Sequence, residues 1–243
     1  MPTGIANSHA RLLDVDPALG AGLTGRALDV ARGLVVAPVD ALDRGPWRPT
    51  SPARPDQHLG FMLLEGFLFR RILVAGRESA ELLGPGDLLR PWQPMRGWEL
   101  DAAATWTVVE PCALATLDER LTGIIGRWPE LVAAVVGRAV ERSRVLAVRM
   151  GIAQMAGVEL RMLALLWHLA ARFGHRQGDR CVVPIRLTHQ MLGALVRTQR
   201  PTASGALRRL AEQGLVARAD DGWWALSGDP PDRLEALRQT VAA

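Results

Sequence analysis

A short stretch in the C-terminal third carries polar side chains that are spaced for one face of a helix: Arg200, Ser204 and Arg208. The apolar residues of the same stretch fall on a different face, which must point inward: Ala203, Leu207 and Leu210. An arginine can donate a bidentate pair of hydrogen bonds to guanine O6 and N7, while Ser, Thr and further Arg side chains suit phosphates. The outward face therefore predicts contacts with nucleic acid.

Positive charge is concentrated around this stretch. Residues 180–218 contain seven arginines and one acid, Glu212, which gives a local charge of +6. The whole chain carries only +4, and all 29 of its basic residues are arginine. The local block, rather than the whole-chain charge, suits a phosphate backbone.

Two helices are predicted in this region, and the polar face lies on the second. Thr188 stands at the N-cap of the first, before HQMLGALV, and residues 197–199 form a short connection. The second helix is predicted from about Arg200 to Gln213, with Gly214 as its stop. Pro201 is tolerated because the first helical turn has no partner for its missing N–H.

A hairpin is predicted directly after the second helix. The segment LVARADDGWWAL has the pattern of a strand, an Asp-Gly turn and a second strand. Trp223 and Trp224 alternate sides, so one is expected to pack under the helices and the other to be partly exposed. Helix, turn, helix and hairpin together predict a winged helix-turn-helix.

A long helix is predicted from Glu130 to about Met155, and its apolar residues step alternately by four and three. With Ser143 as the one polar member, they form a heptad seam: Val132, Val136, Ala139, Ser143, Leu146, Met150 and Ala153. So narrow a seam is most simply buried against a second copy, which predicts a homodimer, although a helix packed on its own domain shows a similar stripe. A second helix is expected from Glu159 to about Phe173.

The N-terminal half has a different texture. Residues 58–117 contain short apolar stretches separated by Gly, Pro and charged residues, which predicts an antiparallel β-roll. Residues 1–57 are interrupted by Gly and Pro, and Arg44–Pro55 is expected to be a loop. Cys112 and Cys181 have no metal-ligand spacing and are interpreted as buried or incidental thiols.

The stretch LTHQMLGALVRTQRPTASGALRRLAEQGLV resembles the helix-turn-helix of the Crp/Fnr superfamily of bacterial regulators, and VELRMLALLWHLAARFG resembles its lead-in helix. By position, the resemblance implies that Arg200 reads bases and Thr202 contacts phosphate. Pro201 and Gly205 replace a base-reading Glu and a second Arg, and Arg197 replaces a turn glycine. The full set of expected DNA-binding residues is Thr188, Gln199, Arg200, Thr202, Ser204, Arg208 and Arg209.

The resemblance also implies an α+β fold with three parts. These are a cyclic-nucleotide-binding-like β-roll over 1–126, a dimerisation helix over 127–157 and the winged domain over 158–243. In relatives that bind cyclic nucleotides, a Gly-Glu pair and an Arg-Ser pair hold the ligand. Arg90-Pro91 and Ala102-Ala103 stand at those places here, so binding of cyclic AMP in the usual manner is not expected.

Other functions are less well supported by the sequence. His58 as a haem ligand is outweighed by an ordinary role, so the effector stays unknown and no cofactor or metal is indicated. An enzyme would need a metal triad, a nucleophile with a base or paired carboxylates, and none is evident. A dimeric module that uses its winged domain to bind protein is the alternative.

The partners that this interpretation implies are duplex DNA and a second copy of the chain. RNA polymerase and a small-molecule effector stay open as further partners. No apolar run approaches the ~20 residues of a membrane span, so the expected location is cytoplasmic.

Overall fold

The computed structural model describes residues 8–50, 58–91, 102–228 and 230. They divide into two compact units, one within residues 1–70 and 82–145 and the other within residues 71–81 and 146–243.

The N-terminal unit is built on an antiparallel sheet. The strands of this sheet are β1 (Ser8–Arg11), β2 (Val36–Leu42), β3 (Gly45–Trp47), β4 (Gly60–Val74), β5 (Arg77–Leu83), β6 (Leu88–Leu89) and β7 (Ala102–Leu117), of which residues 71–81 are assigned to the second unit. The order is β1-β2-β7-β4-β5, with β3 paired to β7 and β6 paired to β4. The predicted β-roll is confirmed, and its inner face holds one core cluster that includes Phe61, Leu63 and Trp106.

Residues 8–50 contain more regular secondary structure than the sequence indicated. They contribute β1, β2 and β3 together with two helices, α1 (Leu12–Val15) and α2 (Gly25–Leu34). The prediction of a loop over Arg44–Pro55 is wrong at residues 45–47, which pair with residues 106–108 of β7, while 51–57 lie outside the described residues. Pro46 is compatible with a strand here because β3 is a short strand off the main path of the sheet.

A second core cluster lies between the N-terminal helices and the two helices that follow β7, which are α3 (Glu119–Ile125) and α4 (Pro129–Gln154). Leu12, Leu13 and Leu121 are almost fully buried in it. Asp118 caps α3, since its side chain accepts a hydrogen bond from the Leu121 N–H at 2.8 Å. The N-terminal helices and the helices that follow β7 therefore share one apolar core.

At one point in the sheet, β4 and β7 approach so closely that no side chain fits. Gly66 in β4 has a φ of +82°, and a Cβ there would stand 2.0 Å from the carbonyl oxygen of Pro111 in β7. Only glycine satisfies both the left-handed backbone and the lack of space. Gly66 therefore fixes the path of β4 beside β7.

α4 confirms the predicted long helix to within one residue at each end. One of its faces carries Leu131, Val145 and Ile152, which are all buried. The predicted heptad seam faces elsewhere: six of its seven residues are exposed in the single chain and Ala153 is half-buried. Val136 and Met150 are 55% and 65% exposed.

Within the described residues 158–228, the second unit contains three helices: α5 (Val158–Phe173), α6 (His189–Leu195) and α7 (Arg200–Glu212). A small sheet accompanies them, with strands β8 (His175–Gln177), β9 (Arg180–Val183), β10 (Val216–Arg218) and β11 (Trp224–Ser227) in the order β10-β11-β9-β8. The predicted hairpin after α7 is β10 and β11; β8 and β9 extend it and were not predicted. The α+β class is confirmed.

Candidate DNA-binding surface

The helix pair α6–α7 is joined by a tight turn that uses an uncommon backbone conformation. The Thr188 hydroxyl caps α6 by accepting a hydrogen bond from the Met191 N–H at 3.2 Å, as predicted. Arg197 then adopts a φ of +57°, and the Thr198 N–H donates back to the Gly193 carbonyl at 2.8 Å. The turn thus keeps a glycine-like geometry although an arginine occupies it, at a cost of about 1–2 kcal/mol.

Close packing between α6 and α7 depends on a glycine that the sequence analysis did not single out. A Cβ on Gly193 would stand 2.9 Å from the Thr198 carbonyl oxygen and 3.3 Å from the Cβ of Ala203. Ala203, Leu207 and Leu210 all point inward and are at most 3% exposed, as predicted. These three residues define the buried face of α7, and the opposite face is therefore the one exposed to solvent.

Most of the predicted contact residues lie on the surface. The exposed ones are Thr188, Gln199, Arg200, Thr202, Arg208 and Arg209. Gln199 is the N-cap of α7 and Arg200 its first residue, so both lie at the end of the helix where backbone N–H groups lack helical partners. Arg208 approaches Glu212 on the next turn at 3.6 Å, and both side chains are largely exposed.

Ser204 does not face outward as predicted, because α6 covers it. It is half-buried, and its hydroxyl lies 2.9 Å from Nδ1 of His189 in α6. The His189 ring also packs at 5.8 Å from the Trp224 ring. Burial, and then Arg218 and Arg200, lower the pKa of His189, which favours the neutral ring in this position.

Arg209 has a partner that sequence spacing could not indicate. Its guanidinium forms an ion pair with the carboxylate of Glu159 in α5, fifty residues away in the chain. This contact ties α7 to α5 and orients the Arg209 side chain toward α5. The structure therefore separates Arg209 from Arg200 and Arg208, with which the sequence analysis grouped it.

The hairpin after α7 is fastened to the segment before α6. Trp224 is 3% exposed and donates from Nε1 to the Leu187 carbonyl at 3.1 Å, while Trp223 is half-buried. This confirms the predicted difference between the two tryptophans. Arg186 donates from Nε to the Asp221 carbonyl at 2.9 Å, which holds the tip of the hairpin beside residue 186.

All seven arginines of the basic block are exposed. The predicted contact set missed three exposed residues of this region. They are Gln190 in α6, Arg197 in the turn and Arg218 in the hairpin. Arg197 could have been recognised, because a residue in a helix-turn-helix connection is bound to lie near the start of the second helix. The unit therefore presents a positive surface at the α6–α7 turn, as an anionic partner requires.

In the N-terminal unit, His58 and Arg90 make contacts that hold the local backbone. His58 is 8% exposed, and its Nδ1 accepts a hydrogen bond from the Gly60 N–H at 2.7 Å; burial, and then Arg90, lower its pKa. Arg90 donates to the carbonyls of His58 and Leu59. Residues 92–101, between the two pairs at the nucleotide positions, lie outside the described residues.

Burial also raises the pKa of the Cys112 thiol to about 12, while Cys181 is half-buried. Within residues 8–50, 58–91 and 102–228, no three His, Cys, Asp or Glu side chains come together as metal ligands. None of the helices described is both long enough and apolar enough for a membrane span.

Comparison with known proteins identifies the C-terminal region. Residues 160–236 match the model of the Crp-like helix-turn-helix domain. A comparison with curated protein sequences gives no match.

Solved structures share the fold over most of the chain. The CRP/FNR-family transcriptional regulator TTHA1359 from Thermus thermophilus is 18% identical with a TM-score of 0.57, and the match covers 84% of this chain and 98% of that one. FixK2 from Bradyrhizobium japonicum is 14% identical with a TM-score of 0.61, and the match covers 83% of this chain and 96% of that one. A mutant of CooA from Carboxydothermus hydrogenoformans is 15% identical with a TM-score of 0.59, and the match covers 82% of this chain and 86% of that one. Residues 160–236 are therefore similar to a Crp-like helix-turn-helix domain, and the chain shares its fold with these solved regulators.

Proposed function

We propose that this protein regulates transcription by binding an inverted-repeat DNA site as a homodimer, with α7 in the major groove. The observation that carries the proposal is the exposed Arg200 at the first position of α7, beside the exposed turn arginine Arg197. The β-roll over 1–126 is assigned a sensory role, 127–157 dimerisation and 158–243 DNA binding.

The chemistry of the α7 N-terminus suits this role. The major groove, about 12 Å wide, admits an α-helix end-on or lengthwise. Arg200 would then meet a base edge, since its guanidinium can donate two hydrogen bonds to guanine. Gln199, Thr202 and the N–H groups of the first turn suit phosphate oxygens. Thr188, at the start of α6, is assigned to the flanking phosphates.

The apolar seam of α4 supports the homodimer. Val136, Met150 and their seam neighbours recur every 3.5 residues on average, which is the period of two helices that wind around each other. A helix of 26 residues is about 39 Å long, so a paired seam would bury apolar surface over its whole length. Two α7 helices related by the two-fold axis would then lie ~34–36 Å apart, one turn of DNA.

The proposed regulator is not assigned cyclic AMP as its effector. Arg90-Pro91 and Ala102-Ala103 stand where a Gly-Glu pair and an Arg-Ser pair are needed, so neither ribose nor cyclic phosphate would find the usual groups. A buried phosphate without a cation carries a large desolvation penalty.

Selection from a random duplex library at two salt concentrations tests DNA binding. We expect an enriched inverted repeat, with affinity that falls steeply as salt rises. Arg200→Ala should weaken binding by about 10-fold to 100-fold and relax the preference at one base pair of each half-site. Arg26→Ala, at an exposed position of α2, removes the same charge elsewhere and should leave binding unchanged.

Two outcomes would count against this function. Equal binding by the Arg200→Ala and Arg26→Ala variants would remove Arg200 from the interface. No binding to any duplex at either salt concentration would favour a module that binds protein through its winged domain.

Val136→Glu tests the seam. About half of the Val136 side chain is left to bury in a dimer, which is worth about 1 kcal/mol per chain and about 2 kcal/mol per dimer. The dimer dissociation constant should therefore rise at least about 30-fold in analytical ultracentrifugation. Val30→Glu, at a valine of α2 that is 44% exposed, is the matched control. A dimer equally stable in both variants would place the interface elsewhere.

A further inference from the structure

A cavity of about 270 Å³ lies in the N-terminal unit, and the residues at the nucleotide positions, Arg90-Pro91 and Ala102-Ala103, are not among those that line it. It is bounded by α1 and the residue after it, by β4, by the turn between β5 and β6, and by α4. The residues around it are Val15, Asp16, Met62, Leu63, Leu64, Pro85, Gly86 and Arg138. Met62 and Leu64 lie on the same face of β4, and together with Val15, which is 51% exposed, they give the cavity an apolar wall.

Among the residues that line the cavity, Arg138 carries the positive charge. It lies on a face of α4 whose other residues are apolar. Leu131, Arg138, Val145 and Ile152 follow one another every seven residues along one face of the helix, and the other three are buried. A charge at such a position costs stability unless it is paired. Arg138 pairs from Nη2 with the Asp16 carboxylate at 2.5 Å, with side chains 32% and 16% exposed.

The turn before β6 is shaped to accommodate this guanidinium. Gly86 has a φ of +85°, and a Cβ there would stand 3.1 Å from Nη1 of Arg138. The turn itself is held by Asp87, whose carboxylate accepts a hydrogen bond from the Gly84 N–H at 2.8 Å. Arg138 is thus positioned by Asp16 on one side and by the turn on the other, beside an apolar wall.

We propose that this cavity binds a small organic carboxylate, whose carboxyl group pairs with Arg138 and whose apolar body lies against Val15, Met62 and Leu64. A guanidinium has five donors in a fork that matches a carboxylate, so it can bind a second anion beside Asp16. A single arginine next to an aspartate suits one negative charge better than the two of a phosphate. The apolar wall suits a hydrocarbon body and not a sugar.

Asp16 and the ligand compete for the same cation. The competition gives the site a distinctive signature: loss of the Asp16 charge should strengthen binding of the ligand, whereas loss of the Arg138 charge should abolish it. A site that binds hydrophobic molecules for their apolar surface alone would respond to neither change.

Methyl NMR of the full-length protein, labelled with 13C at methionine methyl groups, measures binding at the cavity. Met62 is the reporter and Met150, on the exposed seam, is the internal reference. The probes are benzoate, benzyl alcohol and inorganic phosphate. We expect benzoate to shift the Met62 signal saturably, and the other two probes and the Met150 signal to show no such effect.

Three variants complete the test. Asp16→Asn should bind benzoate at least tenfold more tightly, and Arg138→Gln should lose binding. Arg144→Gln removes the same charge from α4 at a position that is 74% exposed and should behave as the wild type. Should Arg138→Gln fail to fold, Gly86→Ala, which crowds the guanidinium, should weaken binding instead.

Several results would overturn the proposal. They are equal binding of benzyl alcohol and benzoate, a Met62 shift with phosphate alone, or unchanged benzoate affinity in a folded Arg138→Gln variant. The absence of a saturable shift in both the wild type and the Asp16→Asn variant would also overturn it. None of these results depends on DNA binding.

Discussion

Replacement of Arg197 by glycine is expected to stabilise the helix-turn-helix and to weaken DNA binding at the same time. Arg197 has a φ of +57°, which costs an L-residue about 1–2 kcal/mol, and glycine avoids this cost. Glycine also gives the unfolded chain more freedom, which cancels about 0.5–1 kcal/mol of the gain. The net stabilisation is then about 0.5–1 kcal/mol. Arg197→Ala keeps the strained conformation and gains nothing.

Hydrogen exchange in the intact protein measures this difference at the turn itself. The Thr198 N–H donates to the Gly193 carbonyl, so its protection reports on opening of the turn. We expect exchange of the Thr198 amide to be about twofold to fivefold slower in Arg197→Gly than in Arg197→Ala. Both variants lose one charge, so their DNA affinities should fall together, and the salt slope should decrease by about 1. An Ala variant that is protected as well as the Gly variant would refute the strain argument.

Two further predictions concern the stability of the second unit. Gly193→Ala should lower the melting temperature because its Cβ would meet the Thr198 carbonyl at 2.9 Å, whereas Gly205→Ala, which meets only the end of a side chain at 3.5 Å, should raise it. Calorimetry that showed the same sign for both would contradict this. His168 is the second case: burial, and then Arg172 and Arg149, lower its pKa to about 4. As the pH falls through about 6.5, the unfolded chain binds a proton on this histidine, whereas the folded chain does not bind it until the pH reaches about 4. The free energy of unfolding therefore decreases as the pH falls from 6.5 to about 4. His168→Gln should weaken this pH dependence in urea titrations.

Periodicity within one element was the most reliable guide to the fold. The bounds of α4, α5, α6 and α7 follow from apolar spacing, from the N-cap of α6 at Thr188 and from the stop of α7 at Gly214, and the structure agrees within about one residue. The N-terminal segment was harder because glycines and prolines interrupt its apolar pattern. Even so, Val35, Ala37 and Val39 alternate with more exposed residues, and all three are buried, so a strand signal was present.

Contacts between elements could not be predicted from the sequence. Ser204 has the spacing of an outward residue, but His189 of α6 covers it. Arg209 has the spacing of a surface cation, but Glu159 lies beside it through the packing of α5 on α7. Neither partner is separated from its residue by a helical or strand period, so no pattern in the chain relates them. The position of Arg138 beside Asp16 was hidden for the same reason.

The crossing at Gly66 has a consequence for comparisons across distant relatives. At identities of 14% to 18%, the alignment of short strands is easily shifted by a residue or two. A position that physically excludes every side chain cannot drift, because a Cβ on Gly66 would fall 2.0 Å from the Pro111 carbonyl oxygen. Any descendant that keeps this crossing must keep its glycine. Gly66 and the backbone carbonyl of residue 111 therefore provide a pair of reference points for superposing β-rolls that keep this crossing.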